Sequence, residues 1–331
     1  MGRGSGVGYA VLRTRLGADS GAVATWFPAS TCTGTRLRLR DYLDEQDAPS
    51  SHADTLAAGL VNAGAPADEV RQWLDTPTLA CRQPPRMRPG RWPLVLLAPG
   101  NDEGPADLAR LAEALAARGF VVAGVEFPTR HGAAPLASEG DVGRMAEVQA
   151  DELRAAARAV GARMPVDTMT VAVVGHSFGA RGGLLLAMRW PAVRALVSLD
   201  GGIGSATGVD AMRAAPSFAV GGSHATILHL FERLDPRMRP DGALLRSLGQ
   251  PTWVAEVGAM RHHHFTILGE VPPTLPGLRR ALGYLPHTDD DVAEVRTVVG
   301  RFLDAMLRSG TFGQASGTAR VSVRRPGAQG W

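Results

Sequence analysis

From Trp92 onward, short runs rich in Val and Leu alternate with amphipathic helical patterns, and this alternation constrains the fold more than any other feature of the chain. Residues 93–98 (Pro-Leu-Val-Leu-Leu-Ala) read as a buried strand stopped by Pro99 and Gly100. Residues 106–118 carry leucines at 108, 111 and 115, a helical spacing. The same reading gives strands at 120–127, 168–174, 193–199, 226–231 and 252–257, and helices at 145–160, 178–190 and 289–307. Asp289, Asp290 and Asp291 open the last helix, where the positive end of its dipole favours them. Strands that are apolar throughout are covered on both faces. The expected class is therefore α/β, a doubly wound, mostly parallel sheet. Its ligand chemistry belongs in loops beyond the carboxyl ends of the strands.

Residues 1–91 read differently. Residues 8–27 suggest two short strands ending in Trp26-Phe27-Pro28, and helical patterns follow near 53–61 and 66–74. Arg36, Arg38 and Arg40 alternate with Leu37 and Leu39, the period of a strand with one solvated face. The Pro- and Arg-rich stretch 83–91 is a connector. Few apolar residues here are available for a separate core. The 331-residue chain is accordingly read as a single domain: N-terminal strands at 1–30, an inserted helical segment at 31–91 near the active site, a core at 92–310 and a tail at 311–331.

Composition narrows the partners. All 35 basic residues are arginine, set among 32 acidic ones for a net charge of +3, with no basic stripe of the kind that nucleic acid requires. The absence of lysine reflects codon bias, so arginine content by itself says little about function. Two cysteines, Cys32 and Cys81, are too few for a disulfide framework or a cysteine-rich metal site. A bridge between them would tie down the inserted segment and point to an oxidising compartment. No stretch approaches the roughly 18 apolar residues of a membrane span, and the first residues lack the pattern of a signal peptide. A cytoplasmic protein, or a secreted one given without its leader, would both look like this.

The strongest chemical signal is Gly175-His176-Ser177-Phe178-Gly179. In a chain with 40 glycines a Gly-x-Ser-x-Gly match is weak alone, but this one lies between an apolar strand and a helical pattern. A nucleophile elbow requires that strand, tight turn and helix. A serine hydroxyl needs a base to take its proton and an acid to orient the base. Asp200 ends the next strand and Asp235 lies beyond the one after; both occupy strand-end loops. His262, His263 and His264 follow the strand 252–257, and only one of three consecutive side chains can face the serine. A metal site on the three histidines is the alternative, without a His-Glu-x-x-His helix to support it. The order Ser, Asp, His along the chain is that of α/β-hydrolases. Backbone N–H groups of Phe178 and of Asn101, in the loop Pro99-Gly100-Asn101-Asp102-Glu103-Gly104, are placed to form an oxyanion hole.

Trp26-Phe27-Pro28-Ala29, Pro99-Gly100-Asn101, the run from Val122 to Pro128, the elbow, Leu199-Asp200 and the segment from His262 to Phe265 together resemble the platelet-activating factor acetylhydrolase and dienelactone-hydrolase-like group of α/β-hydrolases. The resemblance runs from about Gly8 to Leu307. It implies that the acid is Asp200, at the end of the strand after the nucleophile helix, and that the base is His262, three residues before Phe265, with His263 and Asp235 as second choices. Two departures stand out: Pro99-Gly100 replaces the group's His-Gly at the oxyanion turn, and Ile267 or Leu268 replaces an aspartate.

These readings predict a serine hydrolase of carboxylic esters, acting on short-chain acyl, acetylhydrolase-like or polyester substrates through an acyl-enzyme on Ser177. No cofactor and no metal is expected. The alternatives are an acyltransferase with the same acyl-enzyme and a non-catalytic binding module on the same fold.

Overall fold

Two antiparallel strands, β1 (Gly6–Leu16) and β2 (Asp19–Ala29), open the fold and pair along their whole length. The computed structural model describes residues 6–16, 19–30, 34–44, 51–81, 86–131, 136, 138–309 and 312–326. After the hairpin come β3 (Arg36–Arg38), α1 (Leu39–Asp44), α2 (His52–Asn62), α3 (Ala67–Leu74) and β4 (Pro77–Cys81). Strands and helices then alternate: β5 (Trp92–Ala98), α4 (Ala109–Ala117), β6 (Val121–Gly124), α5 (Glu139–Gly161), β7 (Val166–His176), α6 (Gly179–Arg189), β8 (Val193–Leu199) and α7 (Ala206–Arg213). The chain continues with β9 (Thr226–Glu232), α8 (Gly242–Ser247), β10 (Thr252–Val257), α9 (Pro276–Ala281), α10 (Thr288–Asp304) and β11 (Val323–Arg324).

Among the described residues the strands form one sheet of 11, in the order β11-β10-β9-β8-β7-β5-β6-β2-β1-β4-β3. The run from β6 to β10 is parallel throughout, and β2 meets β6 antiparallel. In β5, Leu94, Leu96 and Ala98 enter the core on one face of the sheet while Val95 and Leu97 enter the core on the other. No side of this strand is solvated, which is why its sequence does not alternate. Helices α5 and α6 cover one face; α4, α10 and the segment α1–α3 contribute to the other. No helix of the described residues is long and apolar enough to cross a membrane.

The structure corrects several boundaries. The strand expected through Arg40 ends at Arg38, because the Arg38 N–H donates to Asp41 Oδ2 at 2.7 Å and turns the chain into α1. Leu37 and Leu39 are buried as the alternation required, but Arg40 rides on a helix. The strand expected at 120–127 stops at Gly124, leaving Phe127 free to pack its ring edge-on against Phe178, 5.0 Å between centroids. The connector 83–91 is described only from residue 86, and there Met87 bridges Ala29. Cys81 is disulfide-bonded, and the sequence's other cysteine, Cys32, lies outside the described residues.

What docks the α1–α3 segment is a buried carboxylate. Tyr42 of α1 packs edge-on against Tyr9 and Trp26, with ring centroids 4.7 and 5.5 Å away, and its hydroxyl donates to Glu113 Oε1 at 2.9 Å. Glu113, on α4, is 1% exposed and also accepts the N–H groups of Leu79 and Ala80 on β4. Arg110 supplies its counter-charge at 3.2 Å. Removing a buried charge's partner costs about 3–5 kcal/mol, against about 1 kcal/mol for one neutral hydrogen bond. Glu113→Ala should therefore destabilise the protein by about 3 kcal/mol and Tyr42→Phe by about 1 kcal/mol. Urea unfolding measures both, and equal losses would contradict this account of the docking.

Candidate active site

Between the last residue of β7 and the first of α6 only Ser177 and Phe178 remain to reverse the chain. Ser177 holds φ at +51°, a left-handed conformation that costs a non-glycine residue about 1–3 kcal/mol. The flanking glycines make this turn possible. A Cβ on Gly179 would lie 1.9 Å from the Ala98 carbonyl oxygen, and one on Gly175 would lie 2.5 Å from the Ala180 nitrogen. No side chain fits at either position.

Asp200 follows β8 and is fully buried, also left-handed, with φ +48°. Its Oδ1 accepts the Glu232 N–H at 2.9 Å and its Oδ2 accepts from His262 Nδ1 at 2.6 Å. Because a carboxylate only accepts, Nδ1 carries the proton and Nε2 carries the lone pair of the neutral ring. The His262 side chain is 41% exposed, so that lone pair is within reach of a substrate. The backbone holds the ring in place: the His262 N–H donates to Glu232 Oε1 at 3.0 Å. Ser177 N donates to the Leu199 carbonyl at 3.0 Å, which brings the serine beside the Asp200 loop. Among the described residues no hydrogen bond joins Ser177 Oγ to His262; such bonds are often long until substrate is in place.

The other candidates are engaged elsewhere. Asp235 pairs with Arg237 at 2.6 Å, and those hydrogen bonds hold its pKa down at about 2. His263 and His264 both place Nε2 on the Leu282 carbonyl, at 2.8 and 3.0 Å. Burial pushes the His264 pKa down to about 3. The three histidines thus do not converge. Asp200, Glu232 and His262 do have potential ligand atoms within 4.8 Å of one another, but those groups are hydrogen-bonded among themselves as described.

Asn101 and Phe178 donate their N–H groups to no acceptor among the described residues. The turn carrying Asn101 abuts the serine: a Cβ on Gly100 would stand 3.1 Å from Ser177 Cβ. Glu103 shapes this turn by accepting the Gly100 N–H at 2.7 Å. The same Glu103 oxygen lies 2.9 Å from His176 Nδ1, and His176 Nε2 lies 3.1 Å from the His262 carbonyl oxygen. Each acceptor favours a proton on the ring nitrogen that faces it, and the two together favour the protonated ring. Burial pulls its pKa down, but Glu103 and the His262 carbonyl outweigh burial and leave it raised above 6.5. Sequence reasoning missed Glu103, His176 and Glu232. Glu103 and His176 stood inside the motifs already singled out, but nothing in the spacing pairs them.

A cleft of about 370 Å³ lined by Glu232, Leu234, Asp235, Pro236, Arg261, His262 and His263 opens beside the imidazole. A larger one, about 850 Å³, lies between Arg91, Arg154, Arg158, Met169 and Trp190. It sits at the amino-terminal ends of β5 and β7, away from Ser177. The inserted segment reaches the loop of the Asn101 turn from His52, whose Nδ1 lies 2.9 Å from Arg130 Nη1 while Arg130 donates to the Asp102 carbonyl at 3.2 Å, and whose Nε2 lies 3.4 Å from Asp107, the acceptor of the Gly104 N–H.

The structure superposes on a ferulic acid esterase from Streptomyces cinnamoneus with a TM-score of 0.65 and 19% sequence identity, over 98% of this chain and 97% of that one. The two share a fold. No protein-family model and no curated protein matches the sequence.

The raised pKa of His176 yields a test. Because its folded-state pKa is raised, its pairing with Glu103 stabilises the fold fully below about pH 6.5, and the contribution is lost as pH rises through the folded-state value. Glu103→Gln should lower the pKa of His176 in a histidine-resolved NMR titration and flatten the loss of stability on that side. A titration unchanged by the substitution would contradict the pairing.

Proposed function

We propose that the protein is a serine hydrolase of carboxylic esters. The observation that carries this reading is the 2.6 Å hydrogen bond from His262 to buried Asp200, at the same edge of the sheet as the strained Ser177. Ser177 Oγ attacks the ester carbonyl while His262 Nε2 takes its proton. The carbonyl oxygen becomes an oxyanion, held by the N–H groups of Asn101 and Phe178. Collapse of this intermediate breaks the bond to the alcohol oxygen, which receives the proton from His262 and leaves. Water, deprotonated by the same histidine, then opens the acyl-enzyme and releases the carboxylic acid. Asp200 keeps the imidazole in the required tautomer and stabilises its cation.

Nucleophile, base and donors all come from this chain, so the scheme uses no cofactor. The fold shared with a ferulic acid esterase supports ester cleavage, and the resemblance to the acetylhydrolase and dienelactone-hydrolase-like group agrees with Asp200 as the acid. The open cleft of about 370 Å³ beside His262 is in keeping with a short acyl group or the exposed chain end of a polyester as substrate. We read the chain as one catalytic domain in which residues 31–91 border the site.

A fluorophosphonate probe should label the wild type and fail to label Ser177→Ala. Asp200→Asn should lower kcat for p-nitrophenyl acetate by on the order of 10⁴, whereas Asp235→Asn should cost far less than that, because its carboxylate pairs with Arg237 and not with His262. Folded protein that resists the probe would indicate the binding-module alternative. Ester turnover that survives Ser177→Ala would overturn the nucleophile assignment.

A further inference from the structure

Arg181 stands in the first turn of α6, one helical turn beyond Ser177. Among the described residues it meets no carboxylate, and its buried Nε has no hydrogen-bond partner. Four other half-buried arginines contrast with it: Arg110 pairs with Glu113, Arg130 with Glu126, Arg189 with Glu147 and Arg279 with Asp289, whereas Arg154 lies over the Trp190 ring. Burial pushes the Arg181 pKa down. The helix dipole disfavours a cation at this end, since the amino terminus carries partial positive charge.

A half-buried charge without a carboxylate partner loses part of its hydration, and at Nε nothing among the described residues replaces it. The contact with Phe178, whose ring centroid lies 5.2 Å from the guanidinium carbon, restores only part of it. Location supplies the rest of the argument. A Cβ on Gly202 would meet Arg181 Nη2 at 2.7 Å. The guanidinium is therefore flanked by the residue that follows the nucleophile and by the glycine loop that follows Asp200.

We propose that Arg181 binds a carboxylate carried by the ester substrate, so that the preferred substrates are anionic monoesters rather than neutral ones. This rests on the ester-hydrolase reading and adds the substrate class to it. A planar guanidinium offers a carboxylate two parallel N–H donors, and pairing with it would compensate the buried charge in the bound complex alone. The carboxylate can lie on the acyl side or on the alcohol side of the ester, and the test separates the two.

p-Nitrophenyl hemisuccinate is compared with p-nitrophenyl butyrate for the acyl side, and 3-carboxyphenyl butyrate with phenyl butyrate for the alcohol side. The wild type should favour the anionic member of one pair in kcat/KM. Arg181→Gln should reduce that anionic-to-neutral ratio at least tenfold, mainly through KM, and Arg181→Lys should give an intermediate ratio because it keeps the charge but loses the fork. A wild type that prefers the neutral ester in both pairs overturns the proposal, as does a ratio that survives both substitutions. Calorimetry of monomethyl succinate binding to Ser177→Ala, with and without Arg181→Gln, reads the same site without turnover. Arg181-dependent binding in a protein that hydrolyses no ester would sink the hydrolase reading and leave the anion site standing. Turnover without an Arg181 effect would do the reverse.

Discussion

The approach of Gly179 to the carbonyl of Ala98 is the constraint on which the site depends. With a hypothetical Cβ only 1.9 Å from that oxygen, α6 is pressed against the end of β5 as closely as a backbone allows. Two consequences follow from the close packing. The chain must reverse within Ser177 and Phe178, which forces the serine into its left-handed conformation. The turn after β5 is also brought alongside the serine, and the N–H groups of Asn101 and Phe178 meet no acceptor among the described residues. Strain of about 1–3 kcal/mol at Ser177 is small against the burial of the surrounding strands, in which each fully buried Leu or Val contributes about 1.5–3 kcal/mol.

Around this turn the charges are arranged in series. Glu103 holds the Asn101 turn through the Gly100 N–H and holds the His176 ring; His176 in turn lies against the His262 carbonyl. Glu232 binds the His262 N–H and donates its own to Asp200. Burial, followed by the neighbouring Asp200 charge, raises the Glu232 pKa. The His262 loop and the Asn101 turn are thus fastened to the same few side chains, and displacing one element displaces the other. Arg181 is the charge that this network leaves out.

Much of the architecture was legible because apolar runs and helical spacing are local signals. Strands 193–199 and 252–257 match β8 and β10 residue for residue, and the elbow was recognisable from its strand, turn and helix. Boundaries slipped where a single side-chain bond decided them, as Asp41 does in ending β3 after Arg38. Asp200 and Asp235 could not be separated by topology, since both follow strands of the same sheet; what separates them is that His262 reaches one while Arg237 occupies the other. Glu103, His176, Glu232 and Glu113 act through pairs distant along the chain, and such pairs leave no periodicity. The want of a partner at Arg181 is a property of the folded surroundings alone, hidden among 35 arginines.

The central claim is that Ser177 carries the acyl group during turnover. Its most direct measurement is intact-protein mass spectrometry of a reaction with p-nitrophenyl acetate quenched in acid within the first turnovers, followed by peptide mapping. The account predicts one added acetyl group on the peptide containing Ser177, absent from Ser177→Ala. Hydrolysis with no adduct at any quench time, or an adduct mapped to another residue in a protein still active as Ser177→Ala, would contradict it.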